Sequence, residues 1–234
     1  MTGRVWGLGV GPGDPELITL KALRILRNAP VVAYPAPDDG SSFARGIVAR
    51  WLSPVQIELA IRIPMEAARF PAQTVYDQAA LDIASHLDAG RDVAVLCQGD
   101  PFFYGSFMYL FGRLSERFRC EIVPGVSSLG ACAAAAGFPL AARNDVLSIV
   151  PATLIDDDLT QRLSACDAAA IIKLGRNFAR VRNLLERLGL AAHAHYIEHA
   201  TLPTARVQKL GEVDPGLAPY FSMILLHRRE KAWR

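Results

Sequence analysis

The stretch that decides the fold is "GLGVGPGDPELITLKA", residues 7–22. An apolar run from Val5 to Val10 enters a turn rich in glycine, and apolar residues at helical spacing follow. Asp14 stands where a helix N-cap is expected, and Pro15 takes the first helical position. A strand that passes through a glycine turn into a helix is typical of open α/β sheets, which bind ligands at the carboxyl ends of their strands.

Two more corners of this kind follow along the chain. "CQGDPFFYGSF", residues 97–107, repeats the Gly-Asp-Pro turn after the apolar run "DVAVLC", and "EIVPGVSS", residues 121–128, gives a third strand end. The dinucleotide fingerprint G-x-G-x-x-G fails at the first corner, because Pro12 or Asp14 stands where its last glycine is required. A P-loop also fails, since no Gly-Lys-Ser/Thr follows. We therefore expect the three corners to share a ligand that is not a polyphosphate.

Strands and helices alternate over the 234 residues, which predicts parallel or mixed sheets with helices on both faces. A break around "GFPLAARND" sets the predicted boundary between a first domain, residues 1–142, and a second, residues 143–234. The predicted strands are residues 5–10, 30–35, 57–64, 92–97, 120–125, 145–152, 168–175, 193–200 and 220–228.

Composition limits the classes of function. Apolar residues make up 51% of the chain and charged residues 21%, and the formal net charge is +2, so no global field favours nucleic acid or a membrane surface. The four cysteines form no Cys-x-x-Cys pair, and His193 and His195 have no carboxylate or cysteine at matching spacing, so we expect neither a disulfide framework nor a metal site. Residues 129–142 are too short an apolar run to span a bilayer, and the start lacks the pattern of a signal peptide. These features predict a cytoplasmic protein without a membrane partner.

The three corners, in this order and at these separations, resemble those of the tetrapyrrole (cobalamin and siroheme) methyltransferases, which use S-adenosylmethionine and release S-adenosylhomocysteine. The segments "YPAPDDGSSFAR", "IRIPM", "VPATL" and "PYFSM" extend the resemblance over essentially the whole chain. They are most similar to the branch that methylates C20 of precorrin-2 to give precorrin-3A in cobalamin synthesis. The resemblance implies an α/β protein of two αβα domains with mixed, mostly parallel sheets, an active-site cleft between the domains, and a homodimer.

The resemblance also assigns cofactor contacts, in which Phe103 and Leu174 supply apolar walls. Gln98 departs from close relatives, which often have glutamate there, so an ionic role at this position is in doubt. The implied cofactor-binding residues are Pro12, Gln98, Gly99, Asp100, Phe103, Ser127, Ser128, Leu174, Ala200 and Thr201.

Such a substrate carries many carboxylates, and their desolvation without partners is costly, so arginines are expected around it. The candidates near predicted loops are Arg45, Arg69, Arg143 and Arg176, and Tyr104 could orient the ring or carry a proton. Methyl transfer requires alignment rather than a nucleophilic side chain, and orientation can supply roughly 7–11 kcal/mol of barrier reduction. The residues identify no catalytic acid or base.

Three alternatives stay open at this point. The ring could arrive metal-free or carrying cobalt. A methyltransferase of the same fold could act on another ring carbon, or on a modified residue of a translation elongation factor as diphthine synthase does. A non-catalytic module could instead bind nucleic acid through the basic end "HRREKAWR", which would make its binding salt-sensitive.

Overall fold

A computed structural model describes residues 2–38, 40–63, 72–214, 216 and 218–229. Contacts divide the chain into two units, Met1–Ser127 (unit 1) and Ser128–Arg234 (unit 2). Each unit has its own five-stranded sheet with helices on both faces, which confirms the predicted α/β class with mostly parallel strands.

The sheet of unit 1 is parallel throughout and has the order β3-β2-β4-β1-β5. The central β4 is buried along its whole length, as its continuously apolar sequence predicts. The strands are β1 (Val5–Gly9), β2 (Val31–Pro37), β3 (Ile57–Ile63), β4 (Val93–Cys97) and β5 (Cys120–Val123).

Helices cover both faces of this sheet, and successive residues of β4 point to opposite cores. The four helices are α1 (Leu20–Asn28), α2 (Phe43–Val48), α3 (Ala72–Asp88) and α4 (Phe107–Leu114). Val93 and Val95 pack with α3 and α4, whereas Ala94 and Leu96 pack with α1 and α2. The helices that follow the neighbouring strands β1 and β4 therefore lie on opposite faces. Such a switch point leaves a crevice at the carboxyl ends of the two strands, where open α/β sheets bind ligands.

The helix α1 begins later than its sequence predicts. Asp14 caps a single 3-10 turn, Pro15–Leu17, by accepting a hydrogen bond from the N–H of Glu16 at 2.8 Å. The α-helix starts only at Leu20, where the Thr19 hydroxyl accepts from the N–H of Ala22 at 3.2 Å. Two successive caps thus take the place of the single one that we predicted.

Unit 2 holds a mixed sheet in the order β6-β7-β10-β8-β9. The strand β10 runs antiparallel to both of its neighbours, so β7 and β8 run in the same direction with β10 between them. The helix α5 covers one face of the sheet, and α6 and α7 cover the other. The elements are α5 (Ser128–Ala136), β6 (Leu147–Pro151), α6 (Asp156–Ser164), β7 (Ala168–Ile172), α7 (Phe178–Arg187), β8 (Ala194–Glu198), β9 (Arg206–Lys209) and β10 (Ser222–His227).

The division between the units falls after Ser127, earlier than the boundary after residue 142 that we predicted. The reason is α5, whose Ala131 and Cys132 pack against Ile197 and Leu225 of the second sheet. Within the described residues, no helix has the length and apolar character needed to cross a membrane, and no cluster of three or more His, Cys, Asp or Glu side chains is arranged to hold a metal ion.

Candidate active site

The three corners predicted from the sequence meet at one edge of the unit 1 sheet. The strands β4, β1 and β5 are neighbours and parallel, so their carboxyl ends lie side by side. Between the first two corners, the N–H of Gly99 donates to the carbonyl of Gly11 at 2.8 Å, and the N–H of Gly11 donates back at 3.4 Å. The first and second corners are therefore joined main chain to main chain.

Glycine is required where these corners touch. A Cβ placed on Gly9 would lie 2.5 Å from the Cα of Gly125 and 2.8 Å from the carbonyl oxygen of Gly99, both of them backbone atoms. Gly11 and Gly99 have φ angles of +85° and +67°, which a residue with a side chain adopts only under strain. One glycine from each corner, Gly9, Gly99 and Gly125, thus forms a backbone junction that a single methyl group would disrupt. We call this set the glycine junction.

Asp100 fastens the third corner to the second. Its Oδ1 accepts hydrogen bonds from the N–H groups of Phe102 at 2.9 Å and Phe103 at 3.0 Å, and its Oδ2 accepts from the N–H of Gly125 at 3.0 Å. A carboxylate that accepts several backbone N–H groups is a strong local anchor. The side chain of Asp100 is therefore committed to holding the junction together, a role that its sequence position alone did not reveal.

The predicted cofactor residues of unit 1 surround this junction. Pro12 and Gly99 are buried, Gln98, Asp100 and Phe103 are half-buried, and Ser127 ends the third corner. Ser128, the next residue of the prediction, is exposed and begins α5 as the first residue of unit 2. No lysine or arginine occurs in residues 7–20, 97–107 or 121–128. The corners therefore offer main-chain groups, amide and hydroxyl side chains and aromatic surface, without the cations that grip phosphates.

The second corner contains an aromatic residue, Tyr104, with an unusual backbone conformation. Tyr104 has a φ of 55° and is 46% exposed, and its ring meets the ring of Phe103 edge to face at 5.3 Å between centroids. The next residue must be glycine, because a Cβ on Gly105 would collide with the carbonyl oxygens of Asp100 and Pro101. Tyr104 therefore lies in a tightly packed turn of the second corner, with its side chain partly exposed.

In unit 2, the prediction that the Leu174 side chain forms an apolar wall is wrong. Leu174 is 0% exposed as a whole residue and packs in the core of unit 2 with residues such as Phe178 and Val181, so neither its side chain nor its backbone lies at the surface. Leu174 lies two residues beyond the end of β7 and follows Lys173, whose φ is 58°.

The other predicted residues of unit 2, Ala200 and Thr201, follow β8. His199 and Thr201 have φ angles of 50° and 75°, and the N–H of His199 donates to the carbonyl of Phe221 at 3.0 Å. Because β7 and β8 run in the same direction, the turns after them lie at the same edge of this sheet. The predicted cofactor residues therefore form two sets, one at a sheet edge of unit 1 and one at a sheet edge of unit 2.

A buried carboxylate supports the turn after β8. Glu198 is 8% exposed; its Oε2 accepts from the hydroxyl of Tyr196 at 2.7 Å, and its Oε1 lies 3.5 Å from Nε of Arg206 on β9. Burial, together with the hydrogen bond to Glu198, raises the pKa of Tyr196 above its ordinary value. The hydroxyl therefore stays protonated and remains a donor to Glu198. Nothing in the sequence pattern pointed to Glu198.

Of the predicted substrate arginines, Arg45 already has a carboxylate partner. Its Nε and Nη2 donate to the two carboxylate oxygens of Glu58 at 2.5 and 2.8 Å. These hydrogen bonds lower the pKa of Glu58 and raise the pKa of Arg45. The bidentate pair spans α2 and β3, so the predicted substrate role of Arg45 is not supported by its contacts.

The remaining arginines are placed differently. Arg143 is exposed and has a φ of 53°. Arg176 is exposed in the short 3-10 helix Gly175–Asn177, just after β7. Arg69 lies outside the described residues. Arg143 and Arg176 therefore remain predictions for substrate binding.

Comparison with known proteins identifies the family. A model of the family described as Tetrapyrrole (Corrin/Porphyrin) Methylases matches residues 4–214. The chain is 46% identical over 232 residues to the cobalamin biosynthesis protein CobIJ of Mycobacterium tuberculosis, a match that covers 96% of this chain and 46% of that protein. The chain thus spans about half the length of the CobIJ proteins it matches.

Two relatives of similar length also match. The precorrin-2 C(20)-methyltransferase of Sinorhizobium sp is 40% identical over 96% of this chain and 95% of its own, and the cobalt-precorrin-2 C(20)-methyltransferase of Salmonella typhimurium is 33% identical over 98% of both. Among solved structures, the uroporphyrin-III C-methyl transferase from Thermus thermophilus complexed with S-adenyl homocysteine superposes with a TM-score of 0.71. That structure is 26% identical, over 95% of this chain and 97% of its own.

Proposed function

This chain belongs to the tetrapyrrole (corrin/porphyrin) methylase family, and on that premise we propose that it is an S-adenosylmethionine-dependent C-methyltransferase that methylates C20 of precorrin-2. The relative named for that reaction, 40% identical over nearly the whole of both chains, supports the choice of ring carbon. The observation in the structure that carries the proposal is the glycine junction, which brings the three corners of the family pattern to one edge.

The residues of unit 1 fit such a cofactor. At the glycine junction the three strand ends pack main chain against main chain, so these turns present backbone groups, and no lysine or arginine occurs in residues 7–20, 97–107 or 121–128. This chemistry suits the neutral and zwitterionic parts of S-adenosylmethionine better than the phosphates of a nucleotide. We propose Pro12, Gln98, Gly99, Asp100, Phe103 and Ser127 as its contacts in unit 1, and Ser128, Ala200 and Thr201 as its contacts in unit 2.

S-adenosylmethionine supplies a methyl group on a cationic sulfonium sulfur. The protein has to hold donor and ring carbon in line and exclude water, which accounts for corners built from rigid main chain rather than from reactive side chains. Asp100 keeps the second and third corners in register through its three backbone hydrogen bonds. The half-buried ring of Phe103 supplies apolar surface beside them.

We propose that Tyr104, Arg143 and Arg176 bind the substrate. The exposed ring of Tyr104 can orient a flat macrocycle, and its hydroxyl can relay the proton that the methylated carbon releases, accepting that proton while it passes its own to water. The two exposed arginines can pair with ring carboxylates. Replacement of Tyr104 by Phe keeps the ring and removes the hydroxyl, so a fall in kcat at unchanged KM would support the proton role.

The test is transfer of an isotopically labelled methyl group. The purified chain is incubated with precorrin-2 and ¹³C-methyl S-adenosylmethionine, and the product is examined by mass spectrometry and NMR. We expect one label per ring, at C20, and one S-adenosylhomocysteine per label. Label at another carbon would contradict the proposed position, and S-adenosylmethionine that stays unconsumed would contradict the activity.

A cobalt-containing ring is the second candidate substrate, because the Salmonella typhimurium relative named for it is 33% identical over 98% of both chains. The higher identity of the Sinorhizobium relative favours the metal-free ring. Comparison of kcat/KM for precorrin-2 and its cobalt complex decides between the two substrates.

We also propose that the protein is a cytoplasmic homodimer, on the strength of the family resemblance. Sedimentation equilibrium distinguishes a dimer from a monomer of 25.4 kDa.

A further inference from the structure

Two strands of the unit 2 sheet end in a residue with an unusual backbone conformation. The described residues other than glycine that have a positive φ are Tyr104, Arg143, Lys173, His199 and Thr201. Lys173 is the first residue after β7, and His199 is the first residue after β8. Their φ angles of 58° and 50° are nearly equal, so two strands of the same sheet end in the same unusual way.

This conformation is unfavourable for a residue with a long or branched side chain, and glycine or asparagine usually takes it. The chain does use glycine close by, since Gly175 has a φ of +41°. Lysine and histidine at the two equivalent positions therefore point to side chains that are needed there. Strain of this kind, held in place by surrounding structure, is concentrated at binding and catalytic sites.

Both side chains belong to the sheet edge that carries Leu174 and Ala200. β10 begins between the two strand ends, and the hydrogen bond from the N–H of His199 to Phe221 fixes the backbone there. Since two strand spacings separate β7 from β8, the backbones of Lys173 and His199 are about 10 Å apart. That separation suits two different groups of one extended ligand better than a single anion.

We propose that Lys173 and His199 bind two carboxylates of the tetrapyrrole ring, an inference that rests on the proposed function. An ammonium group and an imidazole N–H are both donors to carboxylates, and the ring carries carboxylates along its whole rim. Lys173 is exposed and His199 is half-buried, so a ligand can reach both. The family pattern had assigned Leu174, Ala200 and Thr201 at this edge to the cofactor.

The test replaces each residue by glycine, which adopts these φ angles without strain. Glycine relieves backbone strain in the folded protein, which is stabilising, but it also gives the unfolded chain more conformational freedom, which is destabilising. Because these two effects oppose each other, we expect the melting temperatures of Lys173→Gly and His199→Gly to change little. We expect the Kd for precorrin-2, measured with S-adenosylhomocysteine present so that no transfer occurs, to rise about tenfold in each variant. Lys173→Arg should recover most of the affinity, and Lys173→Asn provides a second neutral variant that tolerates this backbone.

The matched control is Lys209→Ala. Lys209 is exposed and pairs with His195, toward the opposite end of β8, so its loss should leave precorrin-2 binding unchanged. A wild-type Kd in both glycine variants would overturn the inference, as would weaker binding of S-adenosylhomocysteine with normal binding of the ring. Wild-type protein that binds precorrin-2 without methylating it would refute the proposed function alone, and wild-type protein that does not bind it would refute both.

Discussion

Replacement of Gly125 by alanine tests whether the three corners depend on direct backbone contact. The new Cβ would overlap the carbonyl oxygen of Gly99 and lie 2.7 Å from the Cα of Gly9. Both obstacles are main-chain atoms of neighbouring corners, so no side chain can rotate away. Overpacking costs about 1–3 kcal/mol when side chains can adjust, and we expect the upper end of that range here. At about 4 °C per kcal/mol for a unit of this size, the melting temperature should fall by about 12 °C.

Gly112→Ala is the matched control, because it makes the same chemical change in the same unit. Gly112 lies inside α4, and a Cβ there would meet nothing within 4 Å. Alanine favours a helix interior by about 0.5–1 kcal/mol over glycine, so this variant should be slightly more stable than the wild type. Circular dichroism melts and urea titrations measure both variants. A Gly125→Ala protein within about 0.5 kcal/mol of the wild type would refute the claim that the corners are in contact.

Three further predictions follow from the contacts and pKa shifts. Asp100→Asn should lower the free energy of unfolding by about 2 kcal/mol, because an amide cannot accept all three backbone hydrogen bonds; an unchanged urea midpoint would contradict this. Burial lowers the pKa of His195 in the folded protein, so below about pH 6.5 the unfolded chain binds more protons and the free energy of unfolding should decrease as the pH is lowered. His195→Gln should flatten this part of the curve of stability against pH, which urea titrations at several pH values measure. Burial raises the pKa of Cys97 and Cys132 to about 12 and of Cys120 to about 11, so these three thiols should resist iodoacetamide at pH 8 in the native protein and react only after denaturation, with mass spectrometry as the readout.

Much of the fold could be predicted because the pattern of apolar runs is local. The buried run of β4 and the three glycine corners are each contained in a few consecutive residues. The strand β9 was missed because Arg206–Lys209 is short, polar and at the sheet edge, so only its pairing with β8 makes it a strand. The helix α2 was missed because its six residues are too few to show a period.

The candidate site was harder to predict, since its contacts join distant parts of the chain. The sequence indicated that Asp100 is important, but its bond to Gly125 depends on β1 lying between β4 and β5. Arg45 looked available for a substrate because its partner Glu58 lies on another element, β3, and the sequence does not show that β3 packs beside α2. Leu174 follows a strand as predicted, yet the burial of its side chain depends on the helices that pack over it.

The glycine junction limits how the protein could be engineered. Its contacts are made by main-chain atoms, which no point mutation can shorten, and a methyl group added at Gly9 or Gly125 would collide with another strand end. A larger pocket, for instance one that accepts synthetic donors with longer alkyl chains, would therefore require smaller side chains at the surrounding positions. Gln98 and Phe103 are the positions at which to begin such a redesign, because they border the junction without forming it.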